Sequence, residues 1–382
     1  MTDILPFLKD LISAPGLSGY EDPVAKIIAD KWRPLVNELS RGKLGSLHGL
    51  RRGTDPLTSQ STGKEARPSV MVATHMDSIG LMVTGITEGF LRITQVGGVD
   101  ARVLPGTAVS VYATGQSASG AGAMGSGAGG VGANSRLPLP GVVVKPSAHL
   151  LPEEERDAPV PLAHLFIDTG LLLGKVAELV RIGDLVSFAQ TPVELSGETL
   201  SGHSLDNRAS VAALTVCLEE LQLRPHSWDV WAVASSQEEV GTIGAAGSSF
   251  ELHPTIAIVV DVTFAKGPGT SDWSAFPLGK GPTIVMGANM HPALHKAMKE
   301  LADRLEIPYA LEYTPSHSGT DGWATQVAAE GIPTMVVGIP LRYMHTPVEL
   351  VAIKDIQRAG RLLAEFIAGL GSDFMEQIVW DQ

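Results

Sequence analysis

Four short apolar runs, rich in β-branched or small residues, each lead into a histidine or a carboxylate. Residues 70–73 in "PSVMVATHMDSIG" precede His75 and Asp77, and 230–234 in "VWAVASSQEE" precede Glu238 and Glu239. Residues 256–260 in "TIAIVVDVT" precede Asp261, and 335–339 in "TMVVGIPLRYMHTP" precede His345. Continuous apolar runs of this length read as strands buried on both faces, which need helices to cover them. Helical spacing occurs between and around them, at 23–32, 209–223, 292–305 and 353–370. The last of these sets Ile356, Ala359, Leu362, Leu363, Phe366 and Ile367 on one face. The sequence therefore predicts an α/β fold with a mainly parallel sheet flanked by helices. The carboxyl ends of parallel strands share one edge, and ligands bind there, so polar residues far apart in sequence are expected to converge.

Between 81 and 195 the texture changes. "FLRITQVGG", "TAVSVYA", "PGVVVKP" and "GDLVSFA" are short strand patterns punctuated by glycine and proline. They predict a small β-rich domain, 81–195, inserted into a catalytic domain made of 1–80 and 196–382. Inside it, "GQSASGAGAMGSGAGGVGANSR" (115–136) carries eight glycines and is expected to be a flexible surface loop. No Gly-Lys-Ser or Gly-Lys-Thr follows it, which argues against a phosphate cradle. The acidic stretch "LPEEERDAP" (151–159) reads as an exposed turn.

The totals exclude several functions. A net charge of −13 over 382 residues leaves no basic excess for a nucleic-acid partner. The single cysteine, Cys217, rules out an internal disulfide framework and a cysteine-rich zinc site, and reads as a buried helical residue. The opening "MTDILPFLKDLISAPG" has helical spacing and lacks the basic head of a signal peptide. No run of about 18 apolar residues is present to span a membrane, so a cytoplasmic location is expected.

The residues at the strand ends carry the chemistry. His75, Asp206, Glu239, Asp261 and His345 offer two imidazoles and three carboxylates, a mixture that suits zinc, cobalt or manganese. Asp206, in "GHSLDNRASVAAL", stands just before a helix; Asn207 is expected to serve as its cap, leaving Asp206 free. Five ligands are too many for one open catalytic ion and about right for two that share a carboxylate and a water. A proton must then reach the leaving group, and one of the adjacent pair Glu238 and Glu239 is free to carry it. On an extended chain the two would face opposite ways, and spacing does not say which takes which task. Asp77 is expected to accept a hydrogen bond from His75 and fix its tautomer. His203, His253, His291 and His295 read as surface or packing residues, and His317, near a serine- and glycine-rich loop, is only a weak candidate to line a cleft. No nucleophile elbow is present, and Cys217 has no electropositive surroundings.

The motifs "PGLSGYE", "ATHMDSIGLMV", "LDNR", "QEEVGTIGA", "VVDVT", "SGTD" and "RYMHTPVE" occur in this order along nearly the whole chain. The series resembles the TET or glutamyl aminopeptidase family of dinuclear metallopeptidases. The resemblance implies an aminopeptidase that trims short peptides, with two divalent ions, zinc or cobalt. It assigns His75 and Asp261 to one ion, Glu239 and His345 to the other, Asp206 as the bridge and Glu238 as general acid and base. It also implies a small domain that supports dimerisation, and cytosolic homo-oligomers that are often dodecamers. Ser78, where an acidic residue is usual, and Ser46, where asparagine is common, depart from the pattern. Rival functions are a dinuclear carboxypeptidase or deacylase, with Arg208 and Arg342 available for a substrate carboxylate, an inactive peptide-binding scaffold, and a glucanase.

Overall fold

The computed structural model describes residues 3–54, 67–115, 137–147, 149, 153, 160–271 and 273–379. The glycine-rich stretch from 116 onward and all of 151–159 except Glu153 lie outside the described residues. Two compact units emerge. The larger comprises Met1–Ser78, Pro192–Met344 and Val348–Gln382, and the smaller Ile79–Thr191 with His345–Pro347.

In the larger unit the four apolar runs form neighbouring parallel strands. Their order is Asp229–Ser235, Ser69–His75, Ile256–Phe264 and Thr334–Arg342. Ser69–His75 is buried throughout and each of the other three has a single residue that is not, as strands covered on both faces must be. The expectation of a mainly parallel sheet is corrected here, because the sheet is mixed. Antiparallel strands extend both ends: Glu38–Arg41 and Leu47–Arg51 on one, Glu349–Ala352, Thr199–Gly202 and Val193–Leu195 on the other. Short loops cause this. The links 42–46 and 343–348 cannot make the long crossover that a parallel return requires. Thr283–Gly287 runs antiparallel to Thr334–Arg342 and parallel to Ala310–Thr314.

Leu205–Leu221 is the helix most deeply enclosed, with all but two of its 17 residues buried. It packs on Ser69–His75, on Ile256–Phe264 and on the helix Ile353–Ala368. Leu214 and Leu218 within it are fully buried, each contributing about 1.5–3 kcal/mol by leaving water. Gly360 lets the two helices approach, since a Cβ there would lie 2.5 Å from the Ala213 carbonyl oxygen. Cys217 is buried in the same helix, and burial raises its thiol pKa, which makes it inert. The other expected helices form over Asp22–Trp32, Pro292–Arg304 and Ile353–Ala368. No helix among the described residues is long and apolar enough to cross a membrane.

The smaller unit is a closed antiparallel barrel. Its strands follow one another as Gly80–Thr87, Phe90–Val96, Phe166–Asp168, Leu137–Val144, Ala108–Ala113 and Leu185–Phe188. Alternation fixes what points inward: Leu91 and Ile93 are buried while Arg92 and Thr94 are exposed. The pair Leu81 and Val186 closes the ring, so no edge is left unpaired. All four strand patterns read from the sequence in this region contribute to it.

Candidate metal centre

His75 is the last residue of its strand and stands in register with Ser235 of the neighbouring one. Asp261 lies inside the next strand along. The His75 Nε2 is 3.1 Å from Asp206 Oδ1 and 3.7 Å from Asp261 Oδ1. One ligand atom from each of these three buried residues lies within 4.8 Å of the others. A ligand oxygen of Glu239 comes equally close to one of Asp206, and Glu238 Oε2 is 3.9 Å from His75 Nε2.

Asp206 is placed by irregular backbone at the start of its helix. Asp206 and Asn207 have non-helical dihedrals, and the Asp206 amide donates to Glu349 Oε2. Asn207 does not cap the helix as expected. Its Nδ2 donates to the Val260 carbonyl instead, tying Asp206 to the strand that carries Asp261. Arg208 is wholly buried and gives its guanidinium to the carbonyls of Leu11, Ala14, Gly16 and Met76. It is a structural cation, which corrects its candidacy for binding a substrate carboxylate. The Arg342 Nε donates to the Lys266 carbonyl.

The two glutamates lie in a turn beyond Ser235, so the argument from an extended chain does not apply to them. Their separation has another cause. The Asp77 carboxylate forks across both main-chain amides, with Oδ1 accepting from Glu238 at 3.0 Å and Oδ2 from Glu239 at 3.2 Å. Gly241 and Thr242 close the turn by donating to the Glu238 carbonyl. Ser18 also donates to Asp77. His75 Nδ1 is 3.3 Å from the Asp77 main-chain carbonyl and 3.5 Å from its carboxylate. Asp77 therefore does more than sequence spacing predicts, because a bond to a turn amide has no side-chain signature.

The electrostatics are those of crowded acids. Burial first, then His75-opposed repulsion from Asp261, Asp321 and Asp206, pushes the Glu238 carboxyl up to about 9. Burial and the neighbouring Asp206 raise Glu239 well above its usual range, and Asp261 behaves likewise. Burial alone would lower the His75 pKa, yet the surrounding carboxylates outweigh it and raise it well above normal. Asp77 is also buried, but the contacts from His75 and Ser18 and the Glu238 amide hold its carboxyl below normal. One imidazole against Asp206, Glu238, Glu239 and Asp261 leaves a deficit of positive charge in a mixed nitrogen and oxygen donor set. Divalent cations fit that set in both charge and donor type.

Asp321 has no role in the sequence reading although "SGTD" marks it. It is buried, accepts from the Ser235 hydroxyl, and has its carboxyl raised to about 6, chiefly by burial. His345 stands in the turn between Thr334–Arg342 and Glu349–Ala352, with left-handed backbone at φ 61°. Its Nδ1 is 3.0 Å from where a Cβ on Gly98 would be. The two departures from the family pattern are structural. Ser46 Oγ accepts from the Ser236 amide, and Ser78 donates to the Gly16 carbonyl. His291 caps its helix, His295 Nδ1 is 3.1 Å from the Val285 carbonyl, and the exposed His317 packs on Trp323.

Comparison with known proteins identifies the family. The model of the M42 glutamyl aminopeptidase family matches residues 57–128 and 130–362. A lysyl aminopeptidase from Pyrococcus furiosus is 34% identical over 360 residues, 93% of this chain and 94% of that one. The TET aminopeptidase of a marine sediment Thaumarchaeota archaeon superposes with a TM-score of 0.85 at 27% identity, covering 98% and 99% of the two chains. The TET1 peptidase of Pyrococcus horikoshii, which can assemble into a tetrahedron or a large octahedral shell, does so with a TM-score of 0.78 at 27% identity, covering 96% and 100%. The chain belongs to the M42 glutamyl aminopeptidase family and is a metallo-aminopeptidase, a hydrolase of peptide bonds.

Proposed function

We propose that the cluster holds two divalent ions and acts on the first peptide bond of short peptides. In this reading His75 and Asp261 hold one ion, Glu239 and His345 the other, and Asp206 is shared; zinc or cobalt suits such donors. Bound there, the ions would polarise the scissile carbonyl and make water a better nucleophile near neutral pH. Glu238 binds neither ion. Its carboxylate takes the proton of the attacking water and passes it to the departing amine. Asp77 keeps Glu238 in range by holding its amide.

The observation that carries this reading is the Asp77 fork, which leaves Glu239 close to Asp206 and Glu238 close to His75. It supports different tasks for the two neighbours. The engagement of Arg208 with main-chain carbonyls weighs against a carboxypeptidase, which needs a free cation for the substrate's carboxylate. The barrel unit would serve dimerisation, and dimers would build larger homo-oligomers in the cytoplasm. Elemental analysis of purified protein tests the ligand assignment. Wild type should carry two ions per chain and Asp206→Ala should lose both or all but one. A fully loaded alanine variant would rule out the shared role.

A further inference from the structure

Glu312 is a half-buried carboxylate with no cation beside it among the described residues. Its Oε1 accepts from the Thr263 hydroxyl at 2.9 Å and its Oε2 from the Thr283 hydroxyl at 2.7 Å. Gly338 provides the space, for a Cβ there would sit 3.1 Å from Oε2 and 2.3 Å from the Thr283 Oγ1. Burial raises the carboxyl pKa above its ordinary value and the two hydroxyls offset only part of that, so the charge is costly here without a cation. An ionised carboxylate offers about four acceptor positions, and two threonines fill half of them. A buried charge held in this way is costly unless a cation completes it.

Its position says where that cation comes from. Thr263 lies two residues beyond Asp261 on the same strand, so the two side chains share a face about 6.6 Å apart. Asp261 stands in register with Gly338, the residue beneath Glu312. A substrate whose first α-carbon lies at the Asp261 edge would reach Glu312 with a lysine stem, which spans about 6 Å.

We infer that Glu312 is the specificity-determining residue of the pocket for the first substrate residue, selecting a lysine or arginine there. The inference rests on the reading above, that the scissile bond lies at the cluster of His75, Asp206 and Asp261. Glu312 does not touch the reacting atoms. It accepts the side-chain cation of the residue to be removed, while its two hydroxyl bonds keep it from swinging away.

The test compares lysyl, arginyl, leucyl and glutamyl p-nitroanilides on metal-loaded wild type and Glu312→Gln. Wild type should favour the two basic substrates. The variant should lower kcat/KM for them about 10–100-fold, mainly through KM, and leave the leucyl substrate within about twofold. A second measurement needs no variant. Lysine amide should inhibit wild-type cleavage of the leucyl substrate at least about tenfold more tightly than its uncharged isostere norleucine amide. Equal inhibition by the two amides, a wild-type preference for leucyl or glutamyl, or an equal loss on every substrate would overturn the inference while leaving the aminopeptidase intact. Failure of wild type to cleave any of the four would remove the catalytic reading, and the pocket with it.

Discussion

Replacing Glu238 by glutamine should stabilise the metal-free protein while disabling the enzyme. In the fold its carboxyl is raised to about 9 from an ordinary 4.5, with burial as the main cause and nearby carboxylates adding to it. An acid raised in this way contributes fully to stability below pH 4.5, and that contribution is lost as pH climbs towards 9. At pH 8 the span from 4.5 is 3.5 pH units, a cost of up to about 5 kcal/mol at 1.36 kcal/mol per unit. At pH 5 the same arithmetic leaves about 0.7 kcal/mol. Glutamine keeps the shape without the charge, so Glu238→Gln should melt higher than wild type in chelator at pH 8 and nearly equal it at pH 5. Saturating metal should abolish the difference, because cations offset the repulsion. Activity of the loaded variant should fall about 10²–10⁴-fold, the usual effect of removing a proton carrier. The reasoning is refuted if the metal-free variant melts lower than wild type at pH 8, or if kcat survives.

Two further substitutions probe what holds the site and the core. Asp77→Ala should weaken metal binding about 10–100-fold in a chelator competition, since both glutamate amides and His75 lose the group that orients them. Unchanged affinity would show that the turn holds itself. Gly360→Val should cost about 1–3 kcal/mol in urea unfolding, because its side chain would meet the Ala213 carbonyl and Val216. A neutral result would mean that the two helices separate without penalty.

Much of the fold was legible because buried parallel strands leave an unbroken apolar trace. Ile256, Ala257, Ile258, Val259 and Val260 admit few other readings, and Asp261 at their end is anomalous unless it has a task. The antiparallel flanks left no such trace. Glu38–Arg41 and Val193–Leu195 are short and mostly exposed, so their pairing depends on tertiary contacts rather than on periodicity. In the site, His75, Glu239 and Asp261 stood out as polar residues after apolar runs, and Asp206 as a carboxylate just before a helix. The fork of Asp77 onto two amides, the four carbonyls around Arg208 and the exchange of Asn207 from cap to strand tie did not. Each is a bond to main chain, which every sequence contains. Gly360 illustrates the same limit: within a helix it reads as a weak point, and only the neighbouring helix explains it.

The central claim is best tested on a mixed pool of short peptides, half with free and half with acetylated amino ends, digested by metal-loaded protein and followed by mass spectrometry. A chelated sample runs alongside. The account predicts stepwise loss of single residues from free amino ends alone, abolished by the chelator. Loss from the carboxyl end, removal of the acetyl group, or trimming that persists in chelator would contradict it.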